Sequence, residues 1–164
     1  MNTAPRATPL AWVNGSDAPE KPSLNIGFMG LTDCASVVVA ATQGFAQQHG
    51  LTLNLKRQGS WAGLRDKLVS GELDAAHCLY GLVYAVHLGI GGVPGSDMAV
   101  LMGLNQNAQA INLSPTLQRK GVTNPEALAR LVHQHGPRLT FAQTFPTGTH
   151  AMWLYYWLAS QGIH

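Results

Sequence analysis

The segment from Thr144 to His150, Thr-Phe-Pro-Thr-Gly-Thr-His, contains the residue types of a small-anion site. It continues into an aromatic stretch, Ala151 to Leu158, which predicts a helix that begins at about Thr149. The first backbone N–H groups of a helix lack partners within the helix, and the positive end of the helix dipole lies beside them. An imidazole at this position can donate one more hydrogen bond. The sequence therefore predicts that Thr149 and His150 bind a small anion.

Polar side chains also end three predicted strands. Thr32–Asp33 follows the first strand, Ser60–Trp61 follows the second, and His77–Cys78 ends the third. Open α/β sheets bind ligands at the carboxyl ends of their strands, so we expect one shared cleft there. The indole N–H of Trp61 donates and cannot accept, which suits an oxyanion. Helix capping alone remains the alternative for Thr32, Asp33 and Ser60. The alternative for Trp61 is partial burial with its indole N–H bonded to a backbone carbonyl. The alternative for His77 is a position in the core.

The remaining candidates are weaker. Gln109, at the end of a carboxamide-rich stretch that begins at Leu104, is a candidate uncharged donor. His133 and His135 are two positions apart and point to different sides of a helix, which argues against a metal pair. The glycines between 89 and 95 miss the spacing of a dinucleotide-binding loop. No pair of carboxylates suggests acid–base catalysis. We therefore expect no catalytic residues, no metal and no cofactor.

Composition limits the partners and the compartment. Apolar residues make up 46% and charged residues 11% of 164 positions, well below the ~25% charged residues usual in soluble domains. The ten Lys and Arg residues are scattered, and no basic stripe predicts nucleic-acid binding. No apolar run reaches the ~18 residues of a membrane span, and Pro9–Val13 is shorter than the ~7–15 apolar residues of a signal peptide. We expect a cytoplasmic protein in which Cys34 and Cys78 are reduced.

Strands and helices alternate along the chain, which predicts an α/β fold with a largely parallel sheet. Asp33 is a candidate cap for the first helix and Ser60 for the second. The predicted strands are Leu24–Met29, Leu51–Lys56, Leu73–Cys78, Met98–Met102, Ala110–Leu113 and Leu139–Ala142. The predicted helices are Ala35–Gln48, Trp61–Ser70, Tyr80–Leu88, a short one from Ser114-Pro115, Glu126–His135 and the last one from Thr149. The domains we expect are a flexible tail, 1–22, a first lobe, 23–103, and a crossover with a partial second lobe, 104–164.

Five motifs occur in the order in which they occur in a known family. They are Leu31–Ala35, Ser60–Ala62 with Arg65–Asp66, Gly71–His77, Leu104–Asn107 and Thr144–His150. On these motifs the chain resembles the nitrate/bicarbonate substrate-binding proteins of ABC transporters over Ser23–His164. The front, Ala11–Lys21, is most similar to cytoplasmic members, which are nitrate/nitrite sensors that pair with an RNA-binding antiterminator.

The resemblance implies a type II periplasmic-binding-protein fold of two lobes, the second incomplete in this chain. It implies that Trp61, Gln109 and His150 contact the oxyanion, and that a lysine follows from beyond residue 164. Ala108 stands where many relatives have glycine, and we expect its methyl group to crowd the approach of the backbone to the ligand. The function we expect is a non-catalytic cytoplasmic nitrate/nitrite sensor. One alternative is the substrate-binding subunit of a nitrate or bicarbonate transporter with an ABC permease as partner, periplasmic if a signal peptide precedes it. The other is a thiamine-precursor type of enzyme, which would need a reactive cysteine or a bound cofactor.

Overall fold

The computed structural model describes residues 18–92, 95–106, 109–134 and 138–164. Three parallel strands form a sheet of order β2-β1-β3, in which β1 is central. In register, Ile26 of β1 lies beside Leu55 of β2 and Ala75 of β3. The strands are β1 (Ser23–Met29), β2 (Thr52–Gln58) and β3 (Ala75–Ala76), and the helices are α1 (Ala35–Thr42), α2 (Trp61–Val69), α3 (Tyr80–His87), α4 (Pro115–Arg119), α5 (Pro125–His133) and α6 (Thr149–Ser160). This arrangement places the carboxyl ends of all three strands at one edge.

The three helices that have a side-chain cap begin where the sequence predicted. Ser60 Oγ accepts a hydrogen bond from the Gly63 N–H at 3.0 Å and caps α2. Ser114 caps α4 and Asn124 caps α5 in the same way, each followed by a proline in the first turn. Because a side-chain cap satisfies backbone donors only a few residues away, these helix starts depend on local sequence alone.

The first helix differs from the prediction. It ends at Thr42, not Gln48, and a 3₁₀ turn follows at Gln47–His49. Gly44 has a left-handed backbone with φ of 78° and interrupts the helix between them. Asp33 does not cap it: the cap position is Cys34, and Asp33 lies in a preceding 3₁₀ turn with no capping hydrogen bond from its side chain.

The predicted strands at 98–102, 110–113 and 139–142 are not formed, since those described residues pair with no neighbouring strand. The third strand is reduced from Leu73–Cys78 to Ala75–Ala76. No helix in the described ranges is long and apolar enough to cross a membrane.

One buried cluster links the sheet side of the molecule to its last helix. Its fully packed members are Trp61, Leu64, Leu79, Leu82 and Val86, and Phe145 from the segment before α6 packs against it. Close backbone approach holds α6 beside the start of α3, because a Cβ on Gly81 would lie only 2.6 Å from the Thr147 carbonyl oxygen. The start of α6 is therefore held against the same core as the start of α2.

Candidate functional site

Trp61 is the first residue of α2, directly after the carboxyl end of β2. Its side chain is 7% exposed and its ring centroid lies 5.8 Å from that of His77, with the planes tilted by 53°. Within the described chain it makes this ring contact and no side-chain hydrogen bond. The indole is thus held by packing, and its N–H is free to donate to a ligand.

Asp33 and His77 meet although they lie far apart in sequence. His77 Nε2 lies 3.1 Å from Asp33 Oδ2, and the imidazole is 4% exposed. Asn105 Nδ2 donates to the backbone carbonyl of Asp33 at 3.4 Å and brings the 104–106 segment onto the same strand end. Among described residues, neither His77 Nδ1 nor Asp33 Oδ1 has a hydrogen-bond partner, and both atoms are buried. This site therefore has unused donor and acceptor capacity.

The start of α6 forms the second part of the site. Thr149 Oγ1 accepts from the Gly81 N–H at 3.0 Å, so this hydroxyl joins α6 to α3. His150 is half-buried, and its Nδ1 is buried with no partner in the described ranges. Gly148 occupies the cap position without a side-chain cap. An anion here would meet both a ring nitrogen and first-turn N–H groups.

Gln109 is exposed and lies in an irregular segment. The structure brings Asp33 and Trp61 together through His77. It places Thr149 and His150 at the start of α6, which contacts α3, and it does not place Gln109 in contact with them. Ala108 and Asn107 lie outside the described residues. No group of three His, Cys, Asp or Glu side chains in the described ranges is arranged to hold a metal ion.

Sequence analysis missed a basic side chain at the same edge. A groove of about 410 Å³ runs along the ends of β1 and β2 and is lined by Met29, Gly30, Leu31, Arg57, Gln58 and Gly59. The Arg57 guanidinium packs over Gly30, where a Cβ would come within 3.1 Å of Nε. Arg57 is the penultimate residue of β2. Its place near the carboxyl end of a predicted strand could have indicated that its side chain lies at this edge of the sheet.

The cysteines have little nucleophilic character. Cys34 is 6% exposed, and burial raises the pKa of the Cys78 thiol to about 11. A thiol attacks as its thiolate, so the raised pKa makes Cys78 a poor nucleophile, and burial shields Cys34 from reagents.

Comparison with known proteins identifies the family. The model of the NMT1-like family matches residues 17–164. The chain belongs to the NMT1-like family. Its relatives include the nitrate/nitrite binding protein NrtA of Synechocystis sp., 35% identical over 158 residues, which are 92% of this chain and 35% of that protein. The bicarbonate transport ATP-binding protein CmpC of the same organism is 34% identical over 149 residues, covering 88% of this chain and 22% of CmpC.

A solved structure shows the fold of this NMT1-like chain. The crystal structure of the periplasmic nitrate-binding protein NrtA from Synechocystis matches with a TM-score of 0.77 and 35% identity, over 90% of this chain and 40% of that chain. The match confirms the predicted α/β fold of the type II periplasmic-binding-protein kind and fits the prediction of an incomplete second lobe. The chain spans about a third of the length of NrtA.

Proposed function

We propose that this chain binds nitrate or nitrite as part of the substrate-binding protein of an ABC transporter, without catalysis of its own. The observation that carries the proposal is that Trp61 and Phe145, which precedes α6, pack on one buried cluster. His150 presents a buried, unpartnered Nδ1 there. In this proposal Trp61 and His150 donate to the anion, and Gln109 joins them from the crossover when the two lobes close.

The chemistry of the site favours a planar monovalent anion. Nitrate is weakly hydrated and accepts hydrogen bonds at three oxygens, so several uncharged donors bind it better than a cluster of full charges. The indole N–H, first-turn backbone N–H groups and one imidazole are donors of this kind. The boundaries of the lobes, 23–103 and 104–164, remain predictions within this proposal.

The names of the relatives favour a transporter over a sensor. Besides NrtA they include the nitrate import ATP-binding protein NrtC of Synechocystis sp., 36% identical over 151 residues. An ABC permease is then the partner we propose, and the periplasm is the compartment, as for the NrtA of known structure. The cytoplasmic sensor and its RNA-binding partner remain predictions from the resemblance of Ala11–Lys21, a segment that lies mostly outside the described residues.

Bicarbonate is the second candidate ligand, and an unpartnered acceptor atom favours it. Asp33 Oδ1 is buried without a donor in the described chain, and it lies at the strand end beside His77. A carboxylate oxygen accepts a hydrogen bond from the hydroxyl of bicarbonate, whereas nitrate has no proton to offer. The similarity to CmpC is consistent with this candidate.

A tryptophan-fluorescence titration of the full chain tests the proposal. Nitrate, nitrite, bicarbonate and chloride are added at constant ionic strength to the unaltered chain, to His150→Ala and to the control His87→Ala, whose imidazole is about half exposed on α3. We expect saturable nitrate or nitrite binding that weakens roughly tenfold in His150→Ala, since a hydrogen bond to a charged ligand is lost. Equal affinity in both variants would remove His150 from the site, and selective bicarbonate binding would favour the second candidate.

A further inference from the structure

The buried imidazole of His77 contacts two of the candidate ligand residues, Asp33 and Trp61. Its Nε2 lies 3.1 Å from the Asp33 carboxylate on one side. On the other side its ring packs against Trp61 at a centroid distance of 5.8 Å. Since His77 follows β3, Asp33 follows β1 and Trp61 follows β2, this contact series joins the ends of all three strands.

We propose that the Asp33–His77 pair is a positioning device that sets the orientation of the Trp61 indole, and that His77 acts on the anion only through Trp61. The inference rests on the proposed function for its effect on binding, although the positioning itself does not require a ligand. Both ring nitrogens of His77 are withdrawn from solvent, since Nε2 lies 3.1 Å from Asp33 Oδ2 and Nδ1 is a buried atom. The indole it packs against lies at the first turn of α2, where a small rotation redirects the N–H.

The geometry explains why histidine serves this position. Asp33 fixes one ring nitrogen, so the ring can present a flat face to Trp61 in only a narrow range of orientations. The two rings meet at 53°, a tilted contact in which rotation of one ring pushes against the other. Capping by Ser60 fixes the backbone of the same turn, because its Oγ accepts a hydrogen bond from the Gly63 N–H at 3.0 Å. The capped backbone of α2 and the His77 ring together restrict the orientations that the Trp61 indole can adopt.

Two substitutions of His77 separate the roles of its nitrogens. In His77→Gln the side-chain amide nitrogen reaches the place of Nε2 and can still donate to Asp33, whereas in His77→Asn it reaches only the place of Nδ1. A matched control is His87→Gln, because His87 also faces an aspartate, Asp97, at 3.9 Å but is exposed. Asp33→Asn weakens the same Asp33–His77 contact from the other side, because it keeps the shape of the Asp33 side chain and removes its charge.

The experiment labels the full chain with 5-fluorotryptophan and records ¹⁹F spectra with and without nitrate. The Trp61 resonance among the four tryptophans is assigned by its loss in Trp61→Phe. We expect His77→Asn to shift or broaden this resonance in the absence of ligand and to weaken nitrate binding roughly tenfold. In His77→Gln we expect a Trp61 resonance and a nitrate affinity close to those of the unaltered chain. Asp33→Asn should move the resonance in the same direction as His77→Asn. His87→Gln should change neither the resonance nor the affinity.

The outcomes distinguish the positioning role from the function itself. An unchanged Trp61 resonance in both His77→Asn and Asp33→Asn overturns the positioning role. An unchanged resonance with lost nitrate binding overturns it as well, because His77 would then contact the anion directly. If the unaltered chain binds no nitrate, the proposed function fails, and the ligand-free resonance still decides whether His77 positions Trp61. Asp33→Asn keeps the test decisive if His77→Asn does not fold.

Discussion

Among the described residues, Cys78 has the largest pKa shift. Burial raises the pKa of its thiol from 9.0 to about 11, against a smaller opposing effect of the Leu79 backbone N–H. The folded chain therefore keeps this group neutral at physiological pH. The neighbouring His77 contacts Asp33 and Trp61, so it is not arranged as a base for the thiol. These contacts argue against Cys78 as the reactive cysteine of the enzyme alternative.

We expect Cys78 to alkylate at least about 100-fold more slowly at pH 8 than an exposed thiol introduced by Ser70→Cys, because its thiolate fraction is that much smaller. Peptide mass spectrometry after timed exposure to iodoacetamide measures both rates. The same shift means that the unfolded chain loses this proton first, so the free energy of unfolding decreases as pH rises from 9.0 through about 11. Equal labelling of Cys78 and the introduced thiol in the folded chain would contradict the burial of Cys78. As the control, the two thiols should label at equal rates after denaturation.

Local signals predicted the helices well, whereas the strands that failed to form depend on non-local contacts. Ser60 and Asn124 cap helices because a side-chain oxygen and a backbone donor lie three residues apart. The apolar run 98–102 suggested a strand, but a strand also needs a partner, which no periodicity reveals. Asp33 was expected in the site and as a cap. It is not a cap because its side chain lies beside His77, 44 positions later in the chain, and only the fold makes that contact visible.

Removing two equivalent caps separates their effects on stability and on binding. Ser60→Ala and Asn124→Ala should each lower the free energy of unfolding by about 1 kcal/mol, the usual cost of a lost N-cap. Only Ser60→Ala should also weaken nitrate binding, because Trp61 follows this cap directly while α5 begins far from it in sequence. Urea denaturation and the fluorescence titration measure the two quantities. If both variants lose affinity equally, the cap acts through overall stability and not through Trp61.

At the scale of the whole molecule, an anion bound between α2 and α6 would join two elements that the core already connects. Trp61 and Leu79 share one buried cluster, on which Phe145 packs just before α6 begins. Gly81 and Thr149 add a backbone-to-hydroxyl hydrogen bond between α3 and α6 at 3.0 Å. The chain has few charges, and its net charge is only +2. Selectivity must therefore come from directed donors, since general electrostatic attraction would not separate nitrate from chloride.

Ligand-linked thermal stability follows from this arrangement, because a ligand that binds only the folded state stabilises it. At a nitrate concentration of about 100 times the dissociation constant, we expect about 2.7 kcal/mol of stabilisation and a rise in Tm of about 5–10 °C for a chain of this size. Differential scanning fluorimetry at constant ionic strength measures the rise. Chloride should give little, and His150→Ala should need roughly tenfold more nitrate for the same rise, since it loses one donor to a charged ligand. An equal rise with chloride would indicate a general salt effect, and the donors at the two helix starts would then not form a selective site.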